Sequence, residues 1–256
     1  MKRFGIYANF GYSIRMAQRA KLIRQAGFEA TSIWWEAFEE FDVGLQQQVE
    51  QIREQGIFLE NAHASYMGIN AIWQDGLDGE EILGKHLKWL EELSRFQIPI
   101  MVMHPNVGFK QIPPPSPIGL KRFCKIMEKA EDCGVLVACE NSYENRHLHY
   151  LFEHISSPAL KFCYDSSHDF LCSKEKYRLL EQYKDKLVCL HLSDCDGRTD
   201  SHWMLGEGRI NWPEVLRKLK GFSGTYMLEV MSEEKDRPEV FLQRNMAATK
   251  KILEKD

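Results

Sequence analysis

No stretch of this chain is apolar for long enough to cross a bilayer, and its first residues, Met1-Lys-Arg-Phe-Gly-Ile-Tyr7, lack the apolar core and small-residue cleavage site of a secretion signal. Membrane insertion and secretion are therefore not expected, and a cytoplasmic location is. The seven cysteines (Cys124, Cys133, Cys139, Cys163, Cys172, Cys189, Cys195) are odd in number, scattered and never spaced C-x-x-C. That pattern excludes a disulfide framework and a thiolate zinc knuckle, and it fits a reducing compartment. A net charge of only −4 provides no overall basic field to gather nucleic acid or an acidic membrane. The pair Gly206-Glu-Gly208 has neither the third glycine nor the preceding strand of a dinucleotide fingerprint, so it reads as a tight turn.

What the chain does have is a regular beat. Short apolar runs recur at residues 4–7, 30–34, 56–59, 98–103, 135–138, 160–164, 187–190 and 225–228. Between them lie longer segments with helical spacing, such as Met16, Ala20 and Ile23, or Leu83, Leu87 and Leu90, or Leu120, Phe123 and Met127. Gly27 and Gly134 stop two of these helices just before a strand. Near-continuous apolar strands alternating with helices predict a parallel sheet covered on its outer face, and eight repeats predict closure into a (β/α)8 barrel. An open doubly wound sheet is the alternative. At 256 residues the whole chain, 1–256, fits one such domain. The stiff stretch 112–118, rich in proline, reads as a rigid connector that starts a helix, with a substrate-covering loop as the other reading.

The polar residues fall where these strands end. Strand three runs into His63, strand four into His104 and strand five into Glu140. Strand six ends in Asp165 with His168 three residues on, strand seven in His191 with Asp194 following, and strand eight in Glu229. In a parallel barrel the C-terminal strand ends meet at one mouth, so side chains remote in sequence converge. Glu140, Asp165, His191 and Glu229 then offer a hard or borderline divalent cation a complete set of oxygen and imidazole ligands from four successive strands. Several buried carboxylates and imidazoles left close together without a cation would cost several kcal/mol, so the set argues for metal where each residue alone does not. After strand seven, Asp200 and His202 are two apart, and an extended loop would turn both toward the mouth to hold a further ion with His168.

With these residues in hand, the chain resembles the xylose isomerase-like TIM barrel superfamily over nearly its whole length. That superfamily includes sugar and sugar-phosphate isomerases and epimerases together with endonuclease IV. The epimerase pattern of Glu, Asp with a following His, His and Glu on strands five to eight corresponds here to Glu140, Asp165 with His168, His191 and Glu229. The resemblance to endonuclease IV adds His63, His104, Asp200 and His202. It implies His63 and His104 on one ion with a bridging Glu140, the four-residue set on a second, and His168, Asp200 and His202 on a third. Departures point away from DNA: strand one leads to Ala8-Asn-Phe-Gly-Tyr-Ser13, without the His-x-Ser-x-x-Gly-Gly type signature, and strand two leads to the aromatic and acidic Trp34-Trp35-Glu36-Ala-Phe38-Glu39-Glu40.

The expectation is therefore a divalent-metal-dependent isomerase or epimerase of a sugar or sugar phosphate, working by proton transfer through an enediolate. The alternative is an endonuclease IV-like zinc phosphodiesterase acting on abasic DNA. One to three ions (Zn2+, Mn2+, Co2+ or Mg2+) are expected, chelating the substrate carbonyl and an adjacent hydroxyl. Glu140 and Glu229 are the candidates for moving the proton, His168 for bonding a substrate oxygen, and Trp34 or Trp35 for packing on the substrate's apolar face. Arg198, Arg209 and Lys110 lie in loops that could meet a phosphate, but they read better as solvated surface charge. The expected partner is a small molecule, with neither nucleic acid nor membrane, and self-association into a homo-oligomer is left open.

Overall fold

Side-chain alternation sorts the apolar residues of the strands into two cores. Ile100, Val102, Ala138, Cys163 and Cys189 form a small buried cluster of their own, while Ile6, Ile33, Met101, Val137, Phe162 and Leu190 join a larger one shared with the helices. Residues two apart on a strand share a face, so the first cluster fills the inside of a cylinder and the second lies between cylinder and helices.

This arrangement comes from a computed structural model that describes residues 2–36, 43–108, 111–233 and 236–254. The strands are β1 (Arg3–Tyr7), β2 (Ala30–Trp35), β3 (Phe58–Ala64), β4 (Ile100–Met103), β5 (Leu136–Glu140), β6 (Leu160–Asp165), β7 (Leu187–His191) and β8 (Thr225–Leu228). They run parallel in the order β7-β6-β5-β4-β3-β2-β1-β8. Leu192 then bridges Leu228, its N–H donating to the Met227 carbonyl at 2.9 Å while Glu229 N–H donates to the Leu192 carbonyl at 3.0 Å, which brings β7 back to β8. The cylinder is thus nearly closed, and the open-sheet alternative falls, because an open doubly wound sheet does not bring its two edges together.

The helices are α1 (Met16–Gln25), α2 (Leu45–Glu54), α3 (Leu77–Arg95), α4 (Pro117–Cys133), α5 (Arg146–His154), α6 (Ser166–Cys172), α7 (Arg178–Gln182), α8 (Trp212–Lys218) and α9 (Pro238–Leu253). Their buried stripes follow the expected spacing, as in Ile82, Leu83, Leu90 and Leu93 of α3. Gly134 ends α4 in the left-handed conformation (φ 65°) that glycine adopts at little cost. Ser116 caps the start of α4, accepting from Gly119 N–H at 3.1 Å, with Pro117 in the first turn. The proline-rich stretch before it is tied to α5: Arg146 donates to the Ile112 carbonyl at 3.0 Å and His147 to the Pro113 carbonyl at 2.8 Å. All seven cysteines are free thiols, and among the described residues no helix is long and apolar enough to cross a membrane.

Buried histidines in the helical layer make the fold sensitive to acid. His86 donates Nδ1–H to the Ile82 carbonyl at 2.8 Å, leaving a buried Nε2 without a partner, and burial pushes its pKa from 6.5 down to about 4. The unfolded imidazole takes up its proton near pH 6.5 and the folded one resists until about pH 4. Stability from this residue is therefore complete above pH 6.5 and declines as pH falls toward 4, by up to ~3 kcal/mol. Urea unfolding at pH 7 and pH 4.5 should show that decline, and His86→Leu should flatten it. An unchanged pH dependence in the variant would contradict this assignment.

Candidate metal centre

The same alternation that fills the barrel delivers one side chain per strand to its mouth. On the inward face the last positions are Tyr7 of β1, Trp34 of β2, His63 of β3, Glu140 of β5, Asp165 of β6 and His191 of β7. His104 and Glu229 stand one residue beyond β4 and β8. Two residues down most strands the face turns apolar or small, with Val102, Ala138, Cys163, Cys189 and Met227 buried beneath the polar ring, while β3 places Asn61 there, its Nδ2 3.4 Å from Cys189 Sγ. A layer of chemistry thus sits directly on the packed core of the cylinder.

Glu140 is the hub of that layer. Its Oε2 lies 3.2 Å from His63 Nε2, 3.5 Å from His104 Nε2 and 3.1 Å from His191 Nδ1, and its Oε1 lies 3.3 Å from His168 Nδ1. His191 Nδ1 is also 3.1 Å from Glu229 Oε2, so it stands between the two glutamates. Asp165 completes the group, its Oδ1 accepting from His168 N–H at 2.6 Å. Paired hydrogen bonds with Asn141, each 2.8 Å, fix the backbone on both sides of Asp165. Among the described residues, three sets offer ligand atoms within 4.8 Å of one another: Glu140, Asp165, His191 and Glu229; His63, Glu140 and His191; and His104, Glu140 and His168. Asp200 and His202 arrive from the loop after β7. Asp200 Oδ2 lies 3.1 Å from His168 Nε2 and 3.2 Å from His202 Nε2.

The imidazole orientations fit a cation. His63 Nδ1–H donates to the Ala64 carbonyl (2.8 Å), His168 Nδ1–H to the Asn141 carbonyl (2.9 Å) and His202 Nδ1–H to the Glu229 carbonyl (2.8 Å). A carbonyl can only accept, so in each neutral ring the Nε2 lone pair is left aimed at a carboxylate oxygen. Two acceptors face each other there unless a proton or a metal ion lies between them. Histidine ligands held in this way by backbone carbonyls are the usual supporting arrangement of metal sites. Buried Glu140 Oε1, Asp165 Oδ2 and Asp200 Oδ1 likewise have no hydrogen-bond partner. The donor set, mixed oxygen and imidazole, suits a divalent cation.

Without an ion, protons take over the role of positive charge. Burial favours neutral imidazoles, yet Glu229 and Glu140 lift His191 well above its ordinary range, Asp165 and Asp200 do the same for His168, and Asp200 raises His202 to about 10. Burial would raise Glu140, but His191 and His104 hold it well below the usual carboxylate range. Glu229 is brought to about 2 against burial by His191. Asp165 goes the other way, pushed to about 7 by burial, with the neighbouring charges of Glu140 and Glu229 adding to it and His168 opposing.

Above this layer lies a cavity of about 390 Å3 whose walls include Trp34, Tyr66, Met67, Val107, Tyr143 and Met231. Trp34 lies flat on His63 (ring centroids 5.2 Å, 14°) and Tyr66 on His104 (5.0 Å, 28°). Tyr143 donates its hydroxyl to Asp200 Oδ2 at 3.0 Å. Sequence reasoning passed over Tyr7, Tyr66 and Tyr143. Tyr7 had a signal available, since it ends β1 at the position equivalent to the other ring members, whereas the two loop tyrosines had none.

One sequence reading needs correction. Trp35 does not face the substrate: one residue on from Trp34, it points outward, is fully buried, donates its indole N–H to Glu92 of α3 at 3.1 Å and packs on Phe96. Asp194 does not join the cluster; its carboxylate accepts four hydrogen bonds from its own loop. Arg198 and Arg209 are exposed, and the turn at Gly206 is present, with φ 88°. The acidic stretch 37–40 and Lys110 lie outside the described residues.

Comparison with known proteins agrees with this architecture. A crystal structure of D-psicose 3-epimerase from Clostridium cellulolyticum H10 superposes with a TM-score of 0.79 at 16% identity, over 99% of each chain. An L-ribulose 3-epimerase structure gives 0.78 at 15% identity, covering 99% of this chain and 95% of that one. At such identities the likeness is one of fold. By sequence, fructoselysine 3-epimerase of Escherichia coli O157:H7 is 24% identical over 104 residues, 40% of this chain and 38% of that protein. An uncharacterised protein of Methanocaldococcus jannaschii is 31% identical over 117 residues, 41% of this chain and 40% of that protein. The matched stretches thus span well under half the length of these curated relatives. The family described as xylose isomerase-like TIM barrel matches residues 20–252, and the chain belongs to it.

Proposed function

We propose that the protein is a divalent-metal-dependent isomerase or epimerase of a sugar or sugar phosphate, with Glu140 and Glu229 as the groups that move the proton. The observation that supports this reading best is the pair of carboxylates flanking His191, Glu140 buried and Glu229 partly exposed, each with an oxygen 3.1 Å from Nδ1. Glu140, Asp165, His191 and Glu229 would hold the ion, Zn2+, Mn2+, Co2+ or Mg2+. When bound, such an ion supplies Lewis-acid polarisation of a carbonyl, which acidifies the neighbouring C–H.

The chain's own groups then do the rest. Both glutamates stay ionised to low pH, so either can accept a proton from carbon next to the carbonyl. Removal by one carboxylate, and delivery to the opposite face by the other once it has taken up a proton from solvent, inverts that carbon, while the first gives its proton back to solvent; delivery at the adjacent carbon isomerises the sugar. His168 lines the cavity and would bond a substrate oxygen through Nε2 in exchange for its contact with Asp200, while Trp34 would offer an apolar wall. The sugar 3-epimerases among the structural neighbours and the fructoselysine 3-epimerase match support the same class.

His63, His104, His168, Asp200 and His202 would supply ligands for further ions, the arrangement a phosphodiesterase acting on abasic DNA would need. The 3.1 and 3.2 Å contacts of Asp200 to His168 and His202 are what favour that second reading. Against it, the described residues that line the cavity include no lysine or arginine to meet a phosphodiester backbone.

Deuterium uptake from D2O into a panel of ketoses, followed by NMR with Mn2+ supplied, tests the proposal. The protein should label the carbon next to the carbonyl, and Glu229→Gln should slow labelling by ~10²–10⁴-fold while remaining folded. Absence of labelling together with robust nicking of abasic duplex DNA would overturn it.

A further inference from the structure

We propose that Asp194 is a positioning residue, whose carboxylate ties the 195–212 loop shut and through it sets Asp200 and His202 at the mouth of the barrel. Asp194 is fully buried three residues beyond the end of β7. Its Oδ1 accepts from the N–H groups of Cys195 (2.9 Å) and Ile210 (3.1 Å), and its Oδ2 from Gly206 N–H (2.9 Å) and the Trp212 indole (2.9 Å). Donors from the beginning, the far side and the end of the loop therefore converge on one charge. Backbone and side-chain N–H groups, rather than a cation, balance it.

The backbone of the same residue holds the middle. Asp194 N–H donates to the Trp203 carbonyl and Trp203 N–H to the Asp194 carbonyl, both at 2.9 Å, one residue past His202. Arg209 N–H closes the base on the Cys195 carbonyl at 2.9 Å. His202 itself sits at φ 46°, a left-handed backbone that a non-glycine residue keeps only when its surroundings impose it. Gly208 shows how close the tie is: a Cβ there would stand 2.3 Å from both Asp194 Oδ1 and the Cys195 carbonyl. Between these anchors, residues 197–199 are exposed, so little apolar burial competes with the carboxylate in shaping the loop.

The effect on turnover rests on the isomerase or epimerase reading; the effect on the loop does not. Asp194→Asn keeps the size but turns an amide N–H2 toward donors. Trypsin should then nick the variant at the exposed Arg198 and Arg209 at least ~10-fold faster than the native protein, with far-UV circular dichroism unchanged. Ketose labelling should fall by ~10–100-fold, the usual cost of losing a supporting partner. Combined with Asp200→Ala, the two losses should not multiply, because both act through one loop. Gly208→Ala should reproduce the nicking pattern, and it replaces Asp194→Asn if that variant does not fold. Native nicking rates in the variants, or losses that multiply in the double variant, would overturn the proposal. A native protein that labels no ketose would sink the functional reading alone, with the nicking comparison still deciding this one.

Discussion

Glu140→Gln should lower turnover by at least ~10³-fold and empty the site of metal, the largest effect expected from any single substitution here. Glu140 belongs to all three ligand sets, and no other residue does so. Its two oxygens reach four imidazoles, on β3, on α6, on β7 and just beyond β4. The amide keeps the volume and removes the charge, so the barrel has no cavity to collapse into. What it leaves is a group of buried imidazoles, two of them raised well above their usual range, without their central counter-charge. Breaking a buried charge pair from one side typically costs 3–5 kcal/mol, so the variant should also be less stable in the absence of metal. Elemental analysis of native and variant protein, read beside ketose labelling, checks the two losses together. A variant that retains stoichiometric metal, or labels at the native rate, would remove Glu140 from the centre.

Metal itself should stabilise the fold strongly. The native cluster packs Glu140, Asp165 and Glu229 together, and in the metal-free protein burial and these neighbours hold Asp165 near neutrality until about pH 7. An ion that binds only the folded state adds about 4 kcal/mol at a free concentration a thousandfold above Kd. For a chain of this size that corresponds to a rise in Tm of roughly 8–16 °C. Scanning calorimetry of protein stripped with EDTA, then resupplied with Mn2+, Co2+ or Zn2+, measures it. The gain should disappear in Glu140→Gln, which separates binding at this centre from adventitious binding elsewhere. A Tm indifferent to chelator and metal would mean that the carboxylates are reconciled by protons alone.

Much of this site could be read from the chain because a parallel barrel converts strand order into spatial order. His63, His104, Glu140, Asp165, His191 and Glu229 could be placed at one mouth without knowing a single contact, since each ends a strand in the same direction. The apolar runs nevertheless misjudged the strand bounds. The run at 56–59 starts two residues before β3, because Gly56 turns with φ 67°, and β3 continues through Asn61 and His63. Inward polar side chains at the mouth hide the ends of the strands that carry them. Trp34 and Trp35 differ in role solely by the alternation of the pleat, and a run of neighbouring aromatics conceals which of the two faces in. The role of Asp194 was hidden for a related reason: the sequence shows a carboxylate near the ligands but not the four donors that occupy it. Tyr66 and Tyr143 come from loops whose course depends on packing, and no periodicity reports it.

Diffraction from crystals grown with Mn2+, collected to show anomalous scattering from the metal, is the most direct check on the claim that this ring of side chains is a cation site. The account predicts a strong peak enclosed by Glu140, Asp165, His191 and Glu229, with oxygen ligands within the roughly 2.0–2.6 Å of hard divalent ions. Carboxylates turned away from one another, with no scattering between them at saturating Mn2+, would contradict it.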